Sequence, residues 1–265
     1  NRPVFRMREL ERIADHPHAL LRRRPTAVAV VGAGRMGHAM SAALAEAGFD
    51  VGDPAGRGEV PAGCDAILLC VPDSEIAAAA GSVAGAAEFV GHTSGATPLS
   101  ALESAGAQAF GLHPLQAVTG ATRFRGCGCA VAGSTPEALE LADNIARDLG
   151  MIPFEVEDSQ RAAYHAAASI ASNFLVTLQA EAEALAGSAG IDGFDARRML
   201  GPLVRTTVEN WIALGPERAL TGPVARGDHA TVAAQRAAIV AERPQLEPLF
   251  DALVERTEAL AGRAG

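Results

Sequence analysis

His113 closes the apolar run AQAFGLHP and is followed at once by Pro114, so its imidazole is expected to project from the carboxyl edge of a strand. Histidine suits proton transfer near neutral pH, and the alternative here is a ring that only caps the strand turn. Ser94, in HTSG, ends the preceding apolar run in the same manner. Its hydroxyl could bond a cofactor carboxamide or a substrate carbonyl, or simply hold a turn. His92 gives no direction for its ring and is set aside. Farther along, His165, Ser169 and Asn173 are spaced four apart and share one helical face in a stretch otherwise rich in Ala, Ile, Leu and Val. Three polar groups in line on an apolar helix need partners, which a cleft between two domains would supply; a stripe packed on other helices is the alternative. Tyr164, the one tyrosine, lies on an adjoining face and ranks below both histidines as a proton donor. Arg226, in TGPVARGD, has the guanidinium fork that grips a carboxylate bidentately, unless it serves a structural ion pair. Asp228 is better placed to cap the helix that follows.

A second set of residues points to a bound nucleotide. The run TAVAVV leads straight into Gly32, Gly34 and Gly37 and then into an alanine-rich helical pattern: a strand, a glycine turn and a helix. Gly32 permits the tight turn, Gly34 lets a pyrophosphate approach the backbone, and Gly37 lets helix and strand pack closely. Free amides at the helix start would face the phosphates. The expected cofactor contacts are Gly32, Ala33, Gly34, Arg35, Met36 and Gly37, with Val71 and Pro72 at the end of the next strand. An acid about twenty residues past the first glycine favours NAD, and an arginine there favours NADP. Both occur, as Asp53 and Arg57. Arg35 inside the loop adds a phosphate partner and moves the expectation toward NADP, with NAD as the alternative.

Composition narrows the chemistry further. The formal charge of −9 and the lack of a basic patch exclude a nucleic-acid binder, whose affinity rests on neutralising phosphates. All 22 basic residues are arginine, so no lysine can form a Schiff base or cradle a Walker-type phosphate. Cys64, Cys70, Cys127 and Cys129 lack zinc-site spacing and read as free thiols, and no metal is expected. No apolar run is long enough to span a bilayer, and residues 1–25, arginine-rich and broken by Pro3 and Pro17, lack the apolar core of a secretion signal. They are expected to be a loosely ordered leader, and the protein to be cytoplasmic.

These groups need a frame of alternating strands and helices. From Thr26 to Glu157 short apolar runs alternate with alanine-rich stretches, the signature of an α/β fold with a doubly wound, mostly parallel sheet. Strands are expected within 65–72, 88–95, 107–114, 128–133 and 151–157, and a short, glycine-rich one near Asp53. Asp73 or Ser74 is a candidate cap for the helix after the first of these runs, and Ser134 or Thr135 for a helix over 136–149. From Asp158 strands disappear. One long buried helix is expected to run to Gly190, followed by helices over 196–214, 228–242 and 245–262, so that residues 158–265 form an all-α second domain.

A nucleotide domain followed by a helical domain resembles the 6-phosphogluconate dehydrogenase-like superfamily. HTSGA (92–96), GLHPLQAVT (111–119), YHAAASIASNFLVTL (164–178) and ALTGPVARGDHATV (219–232) are similar to the Rossmann-like family that carries a DUF2520 domain. That resemblance implies an NADP-dependent oxidoreductase, some members resembling an alternative type of ketopantoate reductase. Many hydroxyacid dehydrogenases of the superfamily carry Lys and Asn four apart on the long helix. Here Ser169 stands at the lysine's place and only Asn173 is retained, which moves the proton-donor role toward His113 or His165. Prephenate dehydrogenases carry a similar His-Pro segment whose histidine bonds the reacting oxygen. The expectation is an NADPH-dependent reductase of a small anionic 2-oxo acid, ketopantoate first. His113, Ser94, His165 and Asn173 would do the chemistry, Ser169 and Arg226 would hold the substrate, and a homodimer would form through the C-terminal helices. The alternatives are a prephenate-type dehydrogenase and a non-catalytic sensor of NADP redox state.

Overall fold

The computed structural model describes residues 27–119 and 122–262, so the expected leader lies outside the described residues. The chain divides into two compact units, the first running through Ala168 and the second beginning at Ser169.

The first unit is built on six strands in the order of the chain: β1 (Val28–Val31), β2 (Ala66–Leu69), β3 (Phe89–His92), β4 (Gln108–Pro114), β5 (Gly128–Gly133) and β6 (Ile152–Glu155). All neighbours are parallel except β4 and β5, which run antiparallel with His113 opposite Ala130. Strands β1 to β4 are apolar runs of Val, Ile, Leu, Phe and Ala because both faces of the sheet are covered there, whereas β6 at the edge is mostly exposed. Val28, Val30, Leu68, Phe110, Leu112 and Val131 face one core, shared with α1 (Arg35–Glu46) and α3 (Pro136–Asp148). Val31, Ile67, Leu69, Val90 and Ala109 face the other, with α2 (Ile76–Ser82) and the 3-10 segment Leu99–Ala105. Each fully buried side chain of this size is worth about 1.5–3 kcal/mol. Thr135 caps α3 as expected, its hydroxyl accepting from the Ala138 amide at 3.1 Å ahead of Pro136 in the first turn.

Three details depart from the sequence reading. The strand expected near Asp53 is reduced to two parallel bridges on the free edge of β1, Ala27 with Asp50 and Val31 with Ala55. Gly52, Pro54, Gly56 and Gly58 disfavour a continuous ladder there. Neither Asp73 nor Ser74 caps α2; the chain first makes a 3-10 turn over Asp73–Glu75, and neither that turn nor α2 has a side-chain cap. The long helix is two helices, α4 (Arg161–Ala171) and α5 (Asn173–Ser188), separated at Ser172, whose φ of −117° and ψ of −75° leave the helical well. Nor is it buried: of the residues of α4 and α5 only Arg161 is.

The second unit continues with α6 (Gly193–Leu214), the single turn α7 (Pro216–Ala219), α8 (His229–Glu242) and α9 (Glu247–Ala261). Asp192 caps α6 and Asp228 caps α8. Arg243 pairs with Glu181 at 2.6 Å, and Arg236 with Asp251 at 2.8 Å. A mostly apolar cavity of about 570 Å³ lies among α5, α8 and α9, lined by Leu178, Leu185, Ile239, Leu249, Phe250 and Leu253. Its lining includes no histidine or arginine to do chemistry. Among the described residues no helix is long and apolar enough to cross a membrane.

Candidate functional site

Where β1 ends, the reduced second strand lies on one side of it and β2 on the other, which makes this a point where the strand order reverses and a crevice opens. The crevice is a cavity of about 440 Å³ lined by Gly32, Ala33, Gly34, Arg57, Val71 and Pro72 among others, six of the expected cofactor contacts. Each glycine has its own reason. Gly32 has φ of +113°, and a Cβ there would stand 2.4 Å from the Cys70 carbonyl oxygen. A Cβ at Gly37 would fall 1.8 Å from the Gly32 carbonyl oxygen, so helix and turn can touch only without it. A Cβ at Gly34 would meet nothing within 4 Å, which leaves that backbone open to the crevice. Gly34 also begins α1 with no side-chain cap; the first intrahelical bond is from the His38 amide to the Gly34 carbonyl at 3.0 Å, so the amides before it are available to an anion. This arrangement fits a dinucleotide.

Arg35 is exposed at the first helical position, whereas Met36 is half-buried and packs against the core. Arg57 and Asp53 part company. Arg57 lines the crevice, its side chain 86% exposed and paired with Glu75 at 3.1 Å. Asp53 lines a different depression, with Ala27, Val28 and Gly63.

The groups capable of proton chemistry gather at the carboxyl ends of β3 and β4. His113 Nδ1 is hydrogen-bonded to Tyr164 Oη at 2.7 Å across fifty-one positions of sequence. The two rings meet edge to face at 5.5 Å, His165 stands 6.2 Å from His113, and Phe154 closes on Tyr164 at 5.8 Å. Arg161, Tyr164 and His165 are i, i+3 and i+4 on α4, so one helix face brings all three to the end of the sheet. Arg161 is 4% exposed, and its Nε donates to Asp158 at 2.6 Å. Its Nη2 lies over Gly111, at ordinary contact distance, 3.6 Å, from where a Cβ would be. At Gly95 the approach is closer: a Cβ would fall 2.7 Å from His113 Cε1, beneath the imidazole.

Burial pushes His113 down to about 4, helped by the nearby His165 and by Arg161 and His92, with Asp73 opposing. His92, fully buried, is likewise pushed down to about 4 by burial and then by Arg161. Its Nδ1 accepts from the Ser94 amide at 3.2 Å. Both imidazoles are therefore neutral at pH 7. Burial is also the main reason that Tyr164 is pushed up to about 12; Cys129 and Cys127 act in the same direction and Arg161 against it.

Ser94 does not keep the role expected of it. Its hydroxyl donates to Thr97 Oγ1 at 2.9 Å and accepts from the amides of Ala96 and Thr97 at 3.2 and 3.0 Å. One donor and two acceptor sites are all a hydroxyl has, so this serine holds the turn. Tyr164, ranked below the histidines from sequence, makes the direct hydrogen bond to His113, and Arg161 and Gly95 were not singled out at all. The glycine directly after HTS was the signal within reach. Ser169, Asn173 and Arg226 belong to the second unit, where Ser169 is half-buried and the other two are exposed. The break at Ser172 puts Asn173 at the start of its own helix, so the straight polar stripe expected from residue spacing does not run through it. The four thiols are free, with burial pushing Cys70 up to about 12 and Cys129 upward too. Among the described residues no cluster of His, Cys, Asp or Glu could hold a metal ion.

Comparison with known proteins agrees with this architecture. Residues 127–257 match the family described as a domain of unknown function, DUF2520. By sequence, no curated protein matches the chain. Among solved structures, the chain is similar to the Bacteroides fragilis protein BF3122, provisionally described as an NADP oxidoreductase, with a TM-score of 0.77, 20% identity and coverage of 89% of this chain and 99% of the other. Protein TM1727 of Thermotoga maritima gives 0.76 at 22% identity, again covering 89% and 99%. The reductive aminase of Aspergillus terreus, in complex with NADPH and ethyl levulinate, gives 0.63 at 17% identity, covering 90% and 99%. At these identities the likeness establishes the fold.

Proposed function

We propose that this chain, which carries a DUF2520 domain on a Rossmann-type sheet, is an NADPH-dependent reductase of a small 2-oxo acid, with ketopantoate the first substrate to try. The observation that carries this reading is the crevice at the end of β1, where the glycine turn and Arg57 share one cavity and Asp53 lies outside it. A ribose 2′-phosphate calls for an arginine there, and a free 2′-hydroxyl for a carboxylate. The amides at the start of α1 would hold the pyrophosphate, Gly34 its approach, and Arg57 the 2′-phosphate after leaving Glu75. When bound, the cofactor supplies the hydride. That the aminase with a similar fold binds NADPH supports the same class of cofactor here.

The chain's own contribution to the chemistry is the cluster around His113, which orients the carbonyl oxygen and provides its proton. From the helical unit, Arg226 is assigned to the substrate carboxylate and Ser169 and Asn173 to its remaining polar groups, and the protein is assigned a homodimeric state.

The test is purified protein with NADPH or NADH and a panel of 2-oxo acids and cyclic imines, followed by nicotinamide absorbance. The expected outcome is NADPH oxidation with ketopantoate, lost in His113→Ala. Arg57→Ala is expected to weaken NADPH about 10–100-fold while leaving NADH nearly unchanged, the scale of one or two charge-assisted bonds. Equal losses for both cofactors would remove Arg57 from the 2′-phosphate. Prephenate-dependent formation of reduced cofactor would replace the reductase with a dehydrogenase, and tight NADPH binding with no turnover would indicate the sensor.

A further inference from the structure

A neutral imidazole and a phenol 2.7 Å apart share one proton between them in that bond, and its owner decides which group can serve a substrate. If Tyr164 donates to Nδ1, the phenolic proton is spent inside the pair. If Nδ1–H donates to Oη, the phenolic proton is free to point elsewhere.

We infer that the second polarity holds: Tyr164 is the proton donor of this centre, and His113 is the residue that positions and recharges it. This rests on the reductase reading for the identity of the reaction, but the polarity of the bond is a property of the chain itself. Three observations carry it. The ring of His113 is fixed in place, lying on Gly95, where no side chain fits, and edge-on to Tyr164. Arg161, Tyr164 and His165 share a face of α4, and Arg161 is the one charged side chain buried among the described residues. Its cation opposes a second proton on His113 and favours negative charge on Tyr164. A charge of this sign suits a group that must become a phenolate, and it is adverse to an imidazolium acid.

The step balances as follows. As hydride reaches the carbonyl carbon, the C=O π pair moves to oxygen, and that oxygen takes the phenolic proton of Tyr164. The phenolate takes the Nδ1 proton of His113 while a solvent proton adds at Nε2, so the imidazole stays neutral throughout and only its tautomer changes. Arg161 stabilises the phenolate in passing. The charged and titratable groups acting on the pair are Arg161 and His165 from α4, His92 from β3, Asp73 after β2, and Cys127 and Cys129 at β5.

Because the chain has one tyrosine, incorporating 3-fluorotyrosine gives the whole protein a single fluorine whose NMR shift follows the ionisation of Tyr164. In His113→Phe, which keeps a ring but cannot donate, the phenol is expected to titrate at higher pH than in the parent. A shift to lower pH would mean that the phenolic proton had been held by His113, and no shift that the bond is absent; either overturns the inference. Arg161→Met is expected to move the titration upward and Arg161→Lys to leave it near the parent value, a readout that packing alone would not produce. With NADPH and a substrate that turns over, Tyr164→Phe should cost about 100-fold or more in kcat. The parent's kcat/KM should be level between about pH 6 and about pH 9, because a phenol remains protonated there, whereas an imidazolium acid with the lowered pKa of His113 would lose about tenfold per pH unit. A sloping profile rejects Tyr164. Fluorine shifts as expected with no turnover on any carbonyl would reject the reductase and leave the polarity of the pair standing.

Discussion

Strands β1 to β5 of the sheet unit bury side chains on both faces, whereas from Ser169 onward only Ala196 and Ile239, among the described residues, are buried hydrophobics. The helical unit instead exposes Phe174, Val176, Phe194, Met199, Leu203, Trp211 and Ile212 and holds its helices with partly exposed ion pairs such as Arg236 with Asp251. The contrast teaches where precision resides. The glycine turn, His113 and the ends of β3 and β4 belong to a unit whose core leaves little freedom, so sub-ångström features such as the Gly37 contact can be maintained. A unit with so little buried of its own gains more from covering its surface, which is the physical reason for assigning it a partner copy.

The contrast can be broken with a pair of truncations. Phe110→Ala removes a fully buried ring from the sheet and is expected to cost about 3–5 kcal/mol at any protein concentration. Trp211→Ala removes an exposed ring and should lower the melting temperature only at concentrations where the parent self-associates. Melting curves over a dilution series, with light scattering, read both. A concentration-independent loss in Trp211→Ala would show the helical unit to be self-sufficient and remove the case for a dimer.

A second difference concerns acid. His92 and His113 are held down to about 4 in the folded sheet unit, while an unfolded chain holds them near the ordinary histidine value. Below that ordinary value the unfolded state binds more protons than the folded one. Stability is therefore full above about pH 6.5 and is lost as pH falls toward 4, at up to about 1.4 kcal/mol per pH unit for each ring. Denaturant midpoints against pH should show this slope, and His92→Asn should remove about half of it. A midpoint unchanged between these pH values would mean that the rings are not buried as neutral groups.

The smallest effect is at the helix caps. Thr135→Ala removes the cap of α3 and should cost about 1 kcal/mol. The corresponding loss at Asp228, the partly exposed cap of α8, should lower the melting temperature less, since water takes over its hydrogen bonds.

Much of the sheet unit was legible because strands buried on both faces read as uninterrupted apolar runs, and every expected run from 65 to 157 contains its strand. The crevice was legible because three glycines at fixed spacing each answer to a separate steric demand. What periodicity could not show is equally specific. Alanine is at home buried or exposed, so the stretch from Ala162 to Ala171 gave no warning that the helix ends there or that it is half-solvated. The first unit runs through Ala168, beyond the end expected at residue 157, because α4 begins on the sheet with its buried Arg161. The bond between His113 and Tyr164 joins residues far apart in sequence, which no local spacing can foresee. Ser94 fits both readings by residue type, and only its three hydrogen bonds decide between them.

The segment from Asp50 to Gly58 pairs with β1 through two bridges, rests Val51 and Ala55 on the two cores, and contributes Arg57 to the crevice without being part of the ladder. Its exposed tip around Arg57 is therefore the part that can be exchanged. A redesign of its few residues, with an acid in place of Arg57 and a shorter glycine turn, could retune the choice between phosphorylated and unphosphorylated dinucleotides without touching the acid-base cluster farther along the same carboxyl edge, at the ends of β3 and β4.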